Sequence, residues 1–193
     1  SLTAEIAALL DAAHGHALVL FTSYAAMSAV KERLREQDLA YPLFTLGRNA
    51  VHTTKQFKST PGGVLLATGA AWEGFDFPGD CVSLLVIPRL PFPIPDALKE
   101  KEREQYPTLH SFLRGIVVPE MQIKLKQGFG RAIRLETDTC AVAILDERAA
   151  RNQRYWKDVL AALPEMPVTQ DIHRVEAFIR GVKPDSYFQE GAA

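Results

Sequence analysis

Apolar positions along the chain fall into two rhythms. Ala17-Leu18-Val19-Leu20-Phe21, Val64-Leu65-Leu66-Ala67, Val82 to Ile87 and Ala141 to Leu145 are apolar almost without a break. Strands covered on both faces read this way, because alternation arises only where one face meets water. Pro42-Leu43-Phe44 predicts a further short strand. The second rhythm is helical. Ile6, Leu9, Leu10 and Ala13 form one stripe in Leu2 to Ala13, with Thr3 as its N-cap. Met27, Val30 and Leu34 form another in a helix over Tyr24 to Gln37, capped by Thr22-Ser23. Further helices are predicted over Val51 to Lys58, Asp96 to Tyr106, Glu120 to Arg134, Asn152 to Leu163 and Thr169 to Arg180. Pro61-Gly62-Gly63 breaks the chain, and the four prolines between Pro88 and Pro95 exclude helix or central strand there. His14-Gly15-His16 reads as a helix stop, with Gly15 as the C-terminal cap.

Short apolar strands alternating with amphipathic helices predict an α/β fold, with a mainly parallel sheet and helices on both faces. Residues 1–193 are expected to form one domain with its core over about 14–163, and residues 164–193 to add a C-terminal helix and tail. In such sheets ligands bind beyond the carboxyl ends of the strands. Thr22-Ser23, Thr68 to Gly79, Pro88 to Pro95 and Asp146 all follow predicted strands, so they should gather along one rim.

Composition narrows the chemistry. A net charge of −1 over 193 residues gives no global field towards nucleic acid or membrane, so any such contact must be local. No apolar run approaches the ~20 residues of a membrane span, and the N-terminus lacks a secretion signal. The first residue is Ser1 rather than Met, which predicts a fragment or a processed chain. Cys81 and Cys140 read as small core residues, and two cysteines suit a reducing cytosol. Histidine and cysteine spacings match no metal site, so no metal is expected on this chain. The basic groups Lys99/Lys101/Arg103, Lys124/Lys126 and Arg148/Arg151/Arg154 are mixed with acids and read as solvated faces.

Gln127-Gly128-Phe129-Gly130-Arg131-Ala132-Ile133-Arg134 places an amide and two guanidiniums at i, i+4 and i+7, on one face if the helix continues. Two arginines so placed can grip a polyphosphate, and the glycines invite close approach of a backbone or ligand. A solvated basic helix with a fraying end fits the same residues. The second segment, Thr68-Gly69-Ala70-Ala71-Trp72-Glu73-Gly74-Phe75-Asp76-Phe77-Pro78-Gly79, decides between them. Taken together, the two resemble motifs V and VI of superfamily 2 helicases of the DinG/XPD type. Leu20 to Tyr24 is similar to motif IV, and Leu90-Pro91-Phe92 with Pro95 to the family's proline loop. The resemblance covers about Ala17 to Leu163.

It implies the second, RecA-like motor lobe of an ATP-dependent DNA helicase. Arg131 and Arg134 would stabilise charge on the γ-phosphate as arginine fingers, and Gln127 would position the γ-phosphate or the attacking water. Asp76, Glu73, Gly74 and Gly130 would belong to the ATP-binding network, with Asp76 on the ribose or bridging to the arginines. Thr22, Ser23, Tyr24, Thr68, Gly69 and Trp72 would hold single-stranded DNA through its backbone, without reading sequence. Trp72 and Phe92 either stack on bases or pack into the lobe. The chain has no Gly-x4-Gly-Lys-Ser/Thr and no Asp-Glu-x-His. The main ATP site and the Mg²⁺ ligands are therefore expected in a first lobe of the same polypeptide, and this part alone should be inactive. The partners implied are that lobe and single-stranded and duplex DNA, with 5′→3′ movement, in DNA repair within the bacterial cytosol and nucleoid. Many members carry an iron–sulfur cluster on four cysteines of the first lobe, so any cluster would lie outside this chain. Two other readings fit the residues: a binding module for nucleic acid or a partner without turnover, and an α/β transferase holding a phosphorylated metabolite.

Overall fold

The computed structural model describes residues 1–69, 71–74, 77, 81–133 and 139–189. Helix α1 (Leu2–Ala13) leads through β1 (Ala17–Leu20), α2 (Tyr24–Glu36), β2 (Leu43–Thr45) and α3 (Ala50–Ser59) to β3 (Val64–Ala67). The single turn α4 (Ala71–Gly74) precedes β4 (Leu84–Ile87), α5 (Ala97–Glu104) and α6 (Leu109–Phe112). A π-helical turn, Leu113–Val117, joins α6 to α7 (Val118–Ala132). Then come β5 (Ala141–Ile144), the 3-10 turn Glu147–Ala149, α8 (Trp156–Ala162), α9 (Ile172–Val182) and α10 (Ser186–Gln189).

The strands pair in the order β2-β3-β1-β4-β5, every pair parallel. Leu18 stands level with Leu65 on one side and Leu85 on the other, and Leu85 with Val142. Alternate residues therefore feed two cores. Leu18, Leu20, Leu65, Ala67, Leu85 and Ile87 pack with Phe57, Trp72, Leu125 and Val159 from α3, α4, α7 and α8. Ala17, Val19, Val64, Leu66, Leu84 and Val86 pack with Leu10, Val30 and Ile179 from α1, α2 and α9. This is why β1, β3 and β4 are apolar at every position: neither face meets water. The edge strands β2 and β5 are half-buried, although the apolar run Ala141 to Leu145 reads like an inner strand.

Several boundaries differ from the expected ones for local reasons. Ser1, not Thr3, caps α1, and Thr3 is buried. The α1 stop is a Schellman turn in which His14 takes the left-handed cap position (φ 51°) while Gly15 N–H reaches back to the Leu10 carbonyl. Gly15 is needed one step later for another reason: it has φ 76°, and a Cβ there would sit 1.9 Å from the Gly62 carbonyl oxygen. The α8 helix begins at Trp156 rather than near Asn152, which is itself left-handed (φ 65°). The helix predicted from Glu120 begins at Val118 and continues upstream through the π turn to Leu109. It ends at Ala132, because Ile133 is extended (φ −124°, ψ 104°). The helix thus carries both Gln127 and Arg131, while Arg134 lies outside the described residues.

Candidate functional site

All strands run the same way, so the segments leaving β1, β3, β4 and β5 share one edge of the sheet. Hydrogen bonds tie neighbours together there. Phe21 N–H donates to the Ala67 carbonyl (2.8 Å) and Leu145 N–H to the Ile87 carbonyl (3.0 Å). After β1, Thr22, Ser23 and Tyr24 are exposed, Tyr24 being 72 % accessible. Ser23 Oγ caps α2 by accepting from Ala26 N–H (3.1 Å), which leaves the hydroxyl proton available to an outside acceptor.

After β3, Thr68 and α4 turn towards the end of α7. The Arg131 guanidinium donates through Nη1 to the Glu73 carbonyl (2.9 Å) and through Nε to the Gln127 carbonyl of its own helix (3.1 Å). The Arg131 carbonyl in turn accepts from Phe77 N–H (2.9 Å). Two segments more than fifty residues apart are thereby clipped into one unit. Glu73 enters that unit through its backbone carbonyl, while its side chain is exposed. The Gln127 side chain is likewise exposed.

A third cluster stands after β4 and β5. Asp146 is buried and accepts from Leu90 N–H (2.9 Å), Arg148 N–H (3.1 Å), Arg148 Nε (3.0 Å) and Arg148 Nη2 (2.7 Å). Burial alone would raise the Asp146 carboxyl. The hydrogen bonds from Arg148 and the backbone, with the guanidinium charge, outweigh it and hold the group below the usual carboxylate range. The same guanidinium lies 4.9 Å from the Phe92 ring centre, and Phe92 packs on Tyr155. Arg148 is thus exposed, as its sequence neighbourhood suggested, and at the same time clasps the proline-rich loop through Asp146 and Phe92. Among the described residues, no group of three or more metal-ligating side chains gathers, and no helix is long and apolar enough to cross a membrane.

A model of the helicase C-terminal domain family matches residues 6–166. The chain belongs to that family. It is 35 % identical over 174 residues to the ATP-dependent DNA helicase YoaA of Haemophilus influenzae, covering 89 % of this chain and 27 % of that protein. It is 35 % identical over 179 residues to the ATP-dependent helicase DinG of Mycobacterium tuberculosis, covering 91 % and 27 %. The chain thus spans about a quarter of the length of these curated relatives (27 % of each). A solved structure titled as an XPD helicase superposes with a TM-score of 0.64 over 83 % of this chain and 29 % of its own, at 21 % identity. That likeness shows the RecA-like fold that the motif resemblance implied, with the mainly parallel sheet expected from the strand and helix pattern.

Within the family frame, the expected site residues separate. Arg131, Gln127, Glu73 and Gly74 lie in the clipped unit, and Thr22, Ser23 and Tyr24 on the exposed turn after β1. Asp76 and Arg134 lie outside the described residues. Two expectations, for Trp72 and Thr68, need correcting. Trp72 is fully buried, with its indole N–H on the Phe21 carbonyl (2.9 Å), so it presents no ring for a base. Of the two readings open for Phe92, packing is the one seen, with the ring between Arg148 and Tyr155. The Thr68 hydroxyl donates to the same Phe21 carbonyl (2.9 Å) and so is already committed inside the lobe. Sequence reasoning missed the role of Asp146 and Arg148. Their i,i+2 spacing at a strand end was the available signal, but the Leu90 amide that completes the set lies 56 residues earlier.

The two glycines of α7 have opposite surroundings. A Cβ on Gly128 would lie 2.6 Å and 2.7 Å from Trp72 ring carbons, whereas one on Gly130 would meet nothing within 4 Å. Neither a helix backbone nor a fully buried indole yields easily. Gly128→Ala is therefore expected to destabilise the chain by about 1–3 kcal/mol, as over-packing does. Gly130→Ala should be near neutral or slightly stabilising, since alanine is the better helix former. Paired chemical melts of the two variants check this, and equal stabilities would refute the packing account.

Proposed function

We propose that this chain is the second motor lobe of an ATP-dependent DNA helicase. In this reading Arg131 and Arg134 face ATP held mainly by a first lobe of the same polypeptide, and Gln127 lies beside the γ-phosphate or the attacking water. Asp76, Glu73, Gly74 and Gly130 complete this lobe's share of the nucleotide site. The observation that carries the reading is the clip between Glu73 and Arg131, which gathers the family's two most specific segments beside the strand ends. Three features support it. No neighbour among the described residues demands the space beside Gly130, as expected where an outside group approaches closely. Ser23 keeps a donor proton and Tyr24 an exposed ring on the adjoining turn, as suits backbone and base contacts with a single strand. The named relatives are ATP-dependent helicases.

The lobe's contribution is electrostatic. Charge spreads over the γ-phosphoryl oxygens during transfer, and a guanidinium aimed there stabilises it. ATP binding then favours closure of the two lobes, and hydrolysis releases it, which becomes movement if each lobe grips the strand in turn. Mg²⁺ would arrive with ATP on first-lobe ligands and supply charge neutralisation on the phosphates. The setting is DNA in the bacterial cytosol.

The direct test compares ATP turnover of the full-length protein with that of this lobe alone, each with and without single-stranded DNA. The full-length protein should hydrolyse ATP faster when the strand is added, and the folded lobe should not turn over. Equal turnover by the isolated lobe would remove the split-site reading. A full-length protein that binds strand but never hydrolyses ATP would favour the binding module instead.

A further inference from the structure

Phe21 directly follows β1 and is the last buried residue before the chain turns outward at Thr22. Its carbonyl accepts two hydrogen bonds from one other segment, from Thr68 Oγ1 and from Trp72 Nε1, both at 2.9 Å. The peptide group leading into Thr22-Ser23-Tyr24 is therefore held from the β3–α4 side. Another part of the same indole carries α7. The Gly128 backbone presses so closely on its six-membered ring that a methyl group would stand 2.6 Å from it, with Leu20 Cδ1 at 3.3 Å from the same point. Trp72 has no exposed surface into which it could swing. Helix α7, indole and the exit of β1 thus stack in contact, and Arg131 lies less than one helical turn beyond Gly128. Close-packed interiors are stiff, so displacement of one layer is passed to the next.

We propose that Trp72 is a positioning residue, linking the arginine-bearing end of α7 to the Phe21 carbonyl and, through it, setting the geometry of the Thr22–Tyr24 turn. The proposal rests on the helicase reading above and names the side chain through which this lobe's strand-holding turn responds to its nucleotide edge. Tryptophan suits the task for two reasons. Its flat apolar ring gives a helix backbone a surface to lie on, and its N–H reaches an acceptor on another element. Phenylalanine would keep most of the first property and lose the second. Thr68 would still hold the Phe21 carbonyl, so the turn would stay folded while its link to α7 was cut.

The experiment uses the full-length protein and an oligo-dT strand, with ATP turnover measured across strand concentration and without strand. For Trp72→Phe, the ratio of strand-stimulated to unstimulated turnover should fall about fivefold, within the range by which single residues modulate coupling between sites. The half-saturating strand concentration should rise by a similar factor. A ratio and a half-saturation within about twofold of the parent protein would overturn the proposal. So would an equal fall in turnover with and without strand, which is the mark of a residue that only supports the fold. Should the phenylalanine variant not fold, Thr68→Val decides in its place. It removes the second donor to the same carbonyl without touching α7, and it should raise the half-saturating concentration by about threefold. No rise overturns the proposal. If the parent protein is itself unresponsive to strand, the helicase reading falls together with this one. A responsive parent with a parent-like Trp72→Phe variant removes the coupling alone.

Discussion

Arg131→Ala in the full-length protein is expected to lower strand-stimulated ATP turnover by about 10³-fold or more, the lower end of what an arginine finger contributes. The expectation follows from placement under the helicase reading. Arg131 sits at the last turn of α7, clipped to the turn after β3, where a nucleotide shared with a first lobe would meet this one. Two of its nitrogens hold backbone carbonyls, Nη1 on Glu73 and Nε on Gln127, so the side chain is oriented before any ligand arrives. Preorganised charge of this kind is effective because no reorganisation is needed as charge develops. The loss has to be separated from a folding defect. The two carbonyl contacts are to neutral acceptors on a half-buried side chain, so their removal should cost only about 1–2 kcal/mol of stability. Arg131→Lys keeps the charge but not the fork, and should recover little of the rate. Turnover within about tenfold of the parent protein for Arg131→Ala would show that the guanidinium is a structural clip and nothing more.

Asp146→Ala should reduce the stability of the chain by about 3 kcal/mol, near the lower bound for breaking a buried charge pair because Arg148 is itself partly hydrated. For a domain of this size that corresponds to a fall of roughly 6–12 °C in melting temperature. The carboxylate accepts four hydrogen bonds, and without it the buried Leu90 N–H would lack its acceptor. The arginine on Phe92 would lose its anchor as well. The effect carries a pH signature. The folded carboxyl lies below its ordinary value, so the folded state binds fewer protons there than the unfolded chain, and stability rises with pH across that interval. The contribution is complete above the unfolded pKa of about 3.9 and is lost as pH falls through the folded value below it. The gap in melting temperature between parent and variant should therefore be level from neutral pH down to about 4 and narrow below. A gap that stays constant through acid would show that the carboxylate's charge is not what holds the loop.

The clipped unit and the Asp146 clasp were legible to different degrees. The arginine and glycine segment stands out by residue type, because guanidiniums and closely approachable backbone suit polyphosphate, but a solvated helix fits it equally until the Thr68 to Gly79 segment is set beside it. Burial could not be read that way. Trp72, in a segment of small residues and glycines, looks the same whether its ring stacks on a base or lies under a helix. What settles it is Gly128, which shares no local pattern with it and lies 56 positions away. The end of α7 was hidden for a similar reason. Ile133-Arg134 carries no glycine or proline stop, yet Ile133 is extended, and the Arg131 carbonyl just before it is taken by Phe77 rather than by a further turn of helix.

By itself the sequence determined the alternation of strand and helix, the mainly parallel sense of the sheet and, through its motifs, the family. These depend on hydrophobic period and side-chain type, which are properties of short windows. Only the tertiary structure decided which donors remain for a ligand and which are committed inward: Ser23 keeps a proton, while Thr68 and Trp72 give theirs to the Phe21 carbonyl. A hydrogen bond or a covered ring is made by whatever the fold brings alongside, and at this edge the partners come from strands and helices distant in the chain.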